Sequence, residues 1–140
     1  MIDLNQEDSA VSSASISLSQ NRPRSRTLNI VLWSLQIFLA TVFFLAGSAK
    51  LFGQPIMVAT FEKIGIGQWF RYTTGIVEVT GAALLLIPKS TVVGAVMLCV
   101  TMIGAVTAHI LVIGGNPTLA AVLLVLSAFV AWRCLSLNRP

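Results

Sequence analysis

The 140-residue chain is 56% hydrophobic and 10% charged, with a net charge of +4, where a typical soluble domain carries about 25% charged residues. Four long apolar runs with short connections leave no room for a separate water-soluble core. The basic residues lie at the ends of those runs, where they orient segments in a bilayer, so the positive charge does not point to DNA or RNA.

Residues 1–27 are rich in Ser, acidic at Asp3, Glu7 and Asp8, and then basic at Arg22, Arg24 and Arg26. With no sustained apolar period, they are expected to form a disordered cytoplasmic tail. The following apolar stretch is too long for the h-region of a cleaved signal peptide. A helix needs roughly 17–25 predominantly apolar residues to cross the hydrocarbon core. By that measure the sequence predicts spans at 28–49, 70–87, 91–113 and 118–132, the last continued by Leu135 and Leu137. Helices are required because backbone polar groups in lipid must bond internally, and the alternating strands of a barrel are missing. Between the first two spans, Pro55 and the residues after it predict a short interfacial helix at 56–63, a lid closed off by the turn-forming "GIG" at 65–67. "GGNP" at 114–117 predicts a tight turn. The expected fold is an all-α membrane protein: a four-transmembrane-helix bundle over 28–137 with a short outer interfacial helix.

Arg22, Arg24 and Arg26, then Lys89, then Arg133 and Arg139 fall on one side of this arrangement, and Lys50, Lys63 and Arg71 on the other. Both termini are therefore expected in the cytoplasm. Trp33 and Trp132 would sit at the inner headgroup level, Trp69 and Tyr72 at the outer one.

Within the apolar runs three ionisable groups need explanation. At about 1.5 Å rise per residue, Lys50 lies at the outer end of the first span, His109 about one turn inside the third, and Glu78 roughly two turns inside the second. Their depths span about 12 Å, all in the outer half. Steps of three and four place Gln36, Ala40, Phe43, Gly47 and Lys50 on one helix face. Gly75, Glu78 and Ala82 share another, and Leu98, Met102 and Ala105 stack beneath His109. The polar groups thus lie on seams of small residues where helices approach. A charge facing lipid at the bilayer centre costs about 2.5–3.5 kcal/mol, so these groups are expected to face one another.

Each also has a purely structural use. A neutral Glu78 bonded to Thr74 or a neighbouring helix would be interhelical glue. Lys50 at a helix end would be a snorkelling anchor, and His109 a satisfied structural donor. Cys99 and Cys134 form no C-x-x-C pair and are expected to behave as small hydrophobes. A single His without a second His or thiolate at ligand spacing offers no metal or haem site. No phosphate loop or nucleophile elbow occurs.

"FFLAGSAKLFG" at 43–53, "FEKIGIGQWFRYTTGIVEVTGAALLLIP" at 61–88 and "GAVTAHI" at 104–110, in this order, resemble the DoxX-like membrane proteins. The resemblance covers about 110 residues and implies four helices with cytoplasmic termini. By position it carries over Gly47, Lys50, Gly75, Glu78 and His109. Relatives of this kind include a thiosulfate:quinone oxidoreductase subunit and membrane partners of redox-protective enzymes, and a related bundle isomerises sterols.

The resulting expectation is a redox-linked subunit in a bacterial cytoplasmic membrane, working beside a redox-enzyme partner. A quinone-like or other flat lipophilic molecule would be held through Lys50, Glu78 and His109, with Glu78 and His109 as the catalytic pair that passes protons. Gln36, Gly47, Lys50, Gly75 and Met102 would line the binding site. A small proton-coupled transporter or a non-enzymatic interaction partner is the alternative. A third is an acid–base isomerase of a lipophilic substrate, with Glu78 as base.

Overall fold

The computed structural model describes residues 26–137; the expected disordered tail lies, up to residue 25, outside the described residues. The chain folds into α1 (Arg26–Leu51), α2 (Pro55–Ile64), α3 (Gln68–Leu85), α4 (Thr91–Ala108) and α5 (Thr118–Leu137), with a π-helical turn, His109–Ile113, continuing α4. Contacts divide the chain at Val31. The described part of the first unit is the exposed opening of α1, including Leu28 and Ile30, and the second unit, from Leu32 onward, contains everything that follows.

The connections explain where the helices stop. After α1, Gly53 takes a left-handed φ of 68°, and Gln54 N–H bonds back to Ala49 C=O at 3.1 Å. Pro55 then opens α2, where its missing N–H has no intrahelical partner to lose. Gly65 caps α2, and Gly67 follows at φ 104° and ψ 161°, a conformation essentially reserved for glycine. The chain reverses there into α3, as the "GIG" motif predicts. Buried Thr91 bonds the carbonyls of Leu85 and Ile87 at 3.3 and 3.0 Å, closing the exposed end of α3. At the far end of α4, Gly114 N–H reaches His109 C=O at 3.0 Å, the i→i+5 bond of a π turn. Asn116 Oδ1 accepts the Thr118 N–H at 2.9 Å and satisfies the start of α5.

Leu39 and Phe43 of α1, Leu85 of α3, Leu98 of α4 and Val130 of α5 meet in the core, each almost wholly buried. Glycines let the backbones come close. A Cβ on Gly94 would lie 2.7 Å from both Gly81 O and Leu85 N, so α3 and α4 nearly touch. The outward faces carry Ile37, Phe38 and Leu45 on α1, Val100 and Ile103 on α4, and Val125 and Trp132 on α5. Helices apolar on both core and outer faces are built for lipid.

All the helices read from the sequence are present, including the short one at 56–63, and α5 runs five residues beyond Trp132. Three of them, Thr27–Leu51, Thr91–Ile113 and Thr118–Ser136, are long and apolar enough to cross a membrane. Helix α3 falls short by composition, carrying Gln68, Arg71, Glu78 and three threonines.

Candidate functional site

The site begins where α1 and α3 cross. A Cβ on Gly47 would stand 2.8 Å from Val79 Cγ2, 2.9 Å from Gly75 O and 3.2 Å from Glu78 Cβ. With glycine on both sides, the two backbones approach until the last turn of α1 overlies the Glu78 side chain. Lys50 Nζ then donates to Glu78 Oε2 at 2.5 Å, with Glu78 only 1% exposed and the Lys50 side chain 14%. A lone carboxylate at such a place carries a desolvation penalty of several kcal/mol, which the lysine offsets by charge and hydrogen bonding together. No other described residue is hydrogen-bonded to that carboxylate, so Oε1 keeps its acceptor capacity.

Arg71, expected from the sequence to be an interfacial charge, is turned inward and is only 4% exposed. Its Nη1 donates to the Lys50 carbonyl, one of the orphan acceptors at the C-terminus of α1. Its Nε donates to Gln68 Oε1 at 2.7 Å, and Gln68 Nε2 donates to Val58 O of α2 at 3.2 Å. The guanidinium carbon also lies 4.2 Å from the centre of the Tyr72 ring. One side chain therefore joins α1 to α3 and, through Gln68, to α2, and it seats its positive charge at the negative end of the α1 dipole. The signal that could have revealed it is its spacing. Positions 71, 75, 78, 82 and 85 advance by three and four, and all five are buried.

Above this crossing lies a cavity of about 650 Å³. Its walls are mainly apolar: Phe43 and Ala46 from α1, Met57 and Phe61 from α2, Val77 from α3, Met102 and Ala105 from α4, Leu119 and Leu123 from α5. Helix α2 acts as its cover, held down by Phe61 against Phe70, ring centroids 5.9 Å apart. The threonines in the wall are already satisfied. Thr60, Thr73, Thr74 and Thr101 each donate to a carbonyl one turn back in their own helix. Polar recognition in this apolar hollow falls mainly to Lys50, Glu78, His109 and Asn116, all of which line it, the last with its Oδ1 already taken by Thr118.

His109 stands where α4 widens into the π turn. Its Nδ1 is 2.9 Å from Ala105 O. A carbonyl oxygen can only accept, so Nδ1 carries the hydrogen, and in the neutral ring Nε2 is left as an acceptor. No hydrogen bond joins His109 to Lys50 or Glu78 among the described residues.

Four of the expected site residues, Lys50, Glu78, Met102 and His109, thus line one cavity. The other three lie elsewhere. Gly47 and Gly75 are used up in the helix crossing itself. Gln36 is buried against α5, where its Nε2 donates to Cys134 Sγ at 3.8 Å. Cys99 and Cys134 are free thiols, and no group of three or more His, Cys, Asp or Glu able to hold a metal occurs among the described residues.

A sequence model described as the DoxX-like family matches residues 34–132, a stretch that includes every residue of the cavity. No curated protein and no solved structure matches the chain.

Proposed function

Because this chain belongs to the DoxX-like family, we propose that it is a four-span membrane protein whose outer cavity binds a flat lipophilic molecule of quinone type. The fourth span is α3. Its 18 residues reach about 27 Å, close to the roughly 30 Å of hydrocarbon. The two charges that lower its hydropathy are the buried Arg71 and Glu78, while Tyr72, Ile76 and Ala83 occupy its exposed face. Four spans return the chain to its starting side, and the excess of Arg and Lys beyond the ends of α1 and α5 makes that side cytoplasmic.

The observation that carries the functional reading is the apolar cavity with its few polar lining groups. It has the size and the apolar walls of a small-molecule site and a few convergent polar groups, and it holds an intramembrane ion pair, which lipid alone would not call for. Lys50 is hydrogen-bonded to Glu78, and Glu78 and His109 line the cavity where they can hydrogen-bond the oxygens of a bound ring and exchange protons with them. A quinone-type ligand would supply two-electron, two-proton chemistry, with this chain as the membrane subunit beside a redox partner. Cation transport is the weaker reading, since Glu78 already holds a cation of its own, Lys50.

Mass spectrometry of lipophilic molecules retained by gently purified protein tests the proposal. A ring-containing lipophile is expected with the parent chain and is expected to be lost from Glu78→Gln that still inserts. An unchanged profile in that variant removes the proposal, and gradient-dependent cation uptake into liposomes would put transport in its place.

A further inference from the structure

The hydrogen-bonding sense of the polar lining groups points to one chemical form of ligand. Glu78 Oε2 is occupied by Lys50, and Oε1 is a free acceptor of a buried carboxylate. His109 Nδ1 is committed to Ala105 O, which leaves Nε2 of the neutral ring as a second free acceptor on a residue that lines the same cavity. Lys50 has three N–H groups, of which Glu78 takes one. The lining therefore offers two acceptors that only a donating ligand can satisfy, together with donors from the Lys50 ammonium and the Asn116 amide nitrogen.

A ligand carbonyl, or an ether oxygen, accepts from Lys50 but turns its lone pairs toward Oε1 and Nε2. A ligand hydroxyl does both: it accepts from Lys50 and donates to one of the two acceptors. In a water-poor apolar cavity, an acceptor left unmatched loses affinity that hydration would otherwise restore.

Building on the reading of the cavity as a lipophile site, we infer that it selects hydroxyl-bearing lipophiles, phenols and hydroquinones among them, over carbonyl or ether forms of the same skeleton, through Glu78 Oε1 and His109 Nε2. For a quinone-type pair the reduced form is the one held. The discrimination corresponds to at least about fivefold in affinity, the least effect expected of one unmatched buried acceptor.

Three probes with the same tail separate the possibilities: 4-decylphenol, its methyl ether 4-decylanisole, and 4-decylcyclohexanone, titrated against the full chain in nanodiscs. The phenol is expected to bind at least about fivefold more tightly than either of the others. That ratio is expected to fall in His109→Leu and to approach one in the charge-free pair Lys50→Met/Glu78→Leu, which leaves no buried ion behind. Thermal unfolding of each variant verifies that it is folded. Equal binding of all three probes to the parent overturns the hydroxyl preference but leaves the lipophile reading standing, whereas no binding of any probe to folded parent protein removes both. A preference that survives undiminished in both variants overturns its assignment to these two acceptors.

Discussion

At Lys50 and Glu78, stability and function can be separated by mutation. Removing either partner alone leaves the other charged and buried, so Lys50→Met and Glu78→Leu are each expected to lose about 3 kcal/mol of stability. Removing both restores neutrality, and the double variant is expected to unfold near the parent temperature while failing to retain a lipophile. Thermal unfolding in detergent, followed by extraction of bound molecules, checks both halves. Arg71 presents a different case, because its Nε and Nη1 reach two acceptors in different directions. A lysine keeps the charge but lacks that planar fork, so Arg71→Lys is expected to lose about 1.5–3 kcal/mol, measured as a lowered midpoint of unfolding. The first pair was half legible in the sequence: few ionisable residues interrupt the apolar runs, and the helix faces turn Lys50 and Glu78 toward small-residue seams. Counting depth, however, leaves them about 12 Å apart, a gap closed by the tight α1–α3 crossing and the long lysine stem. Arg71 was not legible, since an arginine near a helix start satisfies the rule for interfacial charges equally well, and only its spacing from Glu78 argues otherwise.

Among the elements, close helix crossings make the sharpest forecast. The space for a Cβ at Gly94 is taken by main-chain atoms of α3, which cannot rotate away, so Gly94→Ala must push α3 and α4 apart. The expected loss is about 1–3 kcal/mol. Gly104, ten residues further along α4, has nothing within 4 Å of its Cβ position. Gly104→Ala is therefore expected to gain about 0.5–1 kcal/mol from reduced backbone freedom in the unfolded chain. Comparing the two melting temperatures with that of the parent decides the matter. The helices were easily read because uninterrupted apolarity and length suffice to find them, and Pro55 marks the start of α2. The π turn after Ala108 has no such signature. "HILVI" is compatible with a continued α-helix, and the wider turn appears only once Gly114 bonds back to His109. The roles of Gly47 and Gly75 were half legible: their face was correct, but a glycine that admits a ligand and one that admits a neighbouring helix have the same spacing.

For the molecule as a whole, the topology proposed here is directly measurable. With α3 as a fourth span, reporters that are active only in the cytoplasm are expected to work when fused at either terminus, and to fail when inserted after Gly53 or in the Gly114–Pro117 turn. Composition alone placed the chain in a membrane, and the ordered motifs at 43–53, 61–88 and 104–110 placed it in its family. The cavity was beyond reach of the sequence, because a void is defined by side chains from five helices at once, and no periodicity records where they leave space.

The core described above also closes the floor of that void. Leu39, Leu85, Leu98 and Val130 pack below the Lys50–Glu78 pair with essentially no accessible surface, and the α1–α3 and α3–α4 crossings leave no backbone gap to one side of them. The hollow thus ends against this packed layer. A guest therefore meets solid packing on that side, so the bundle behaves as a cup rather than a conduit.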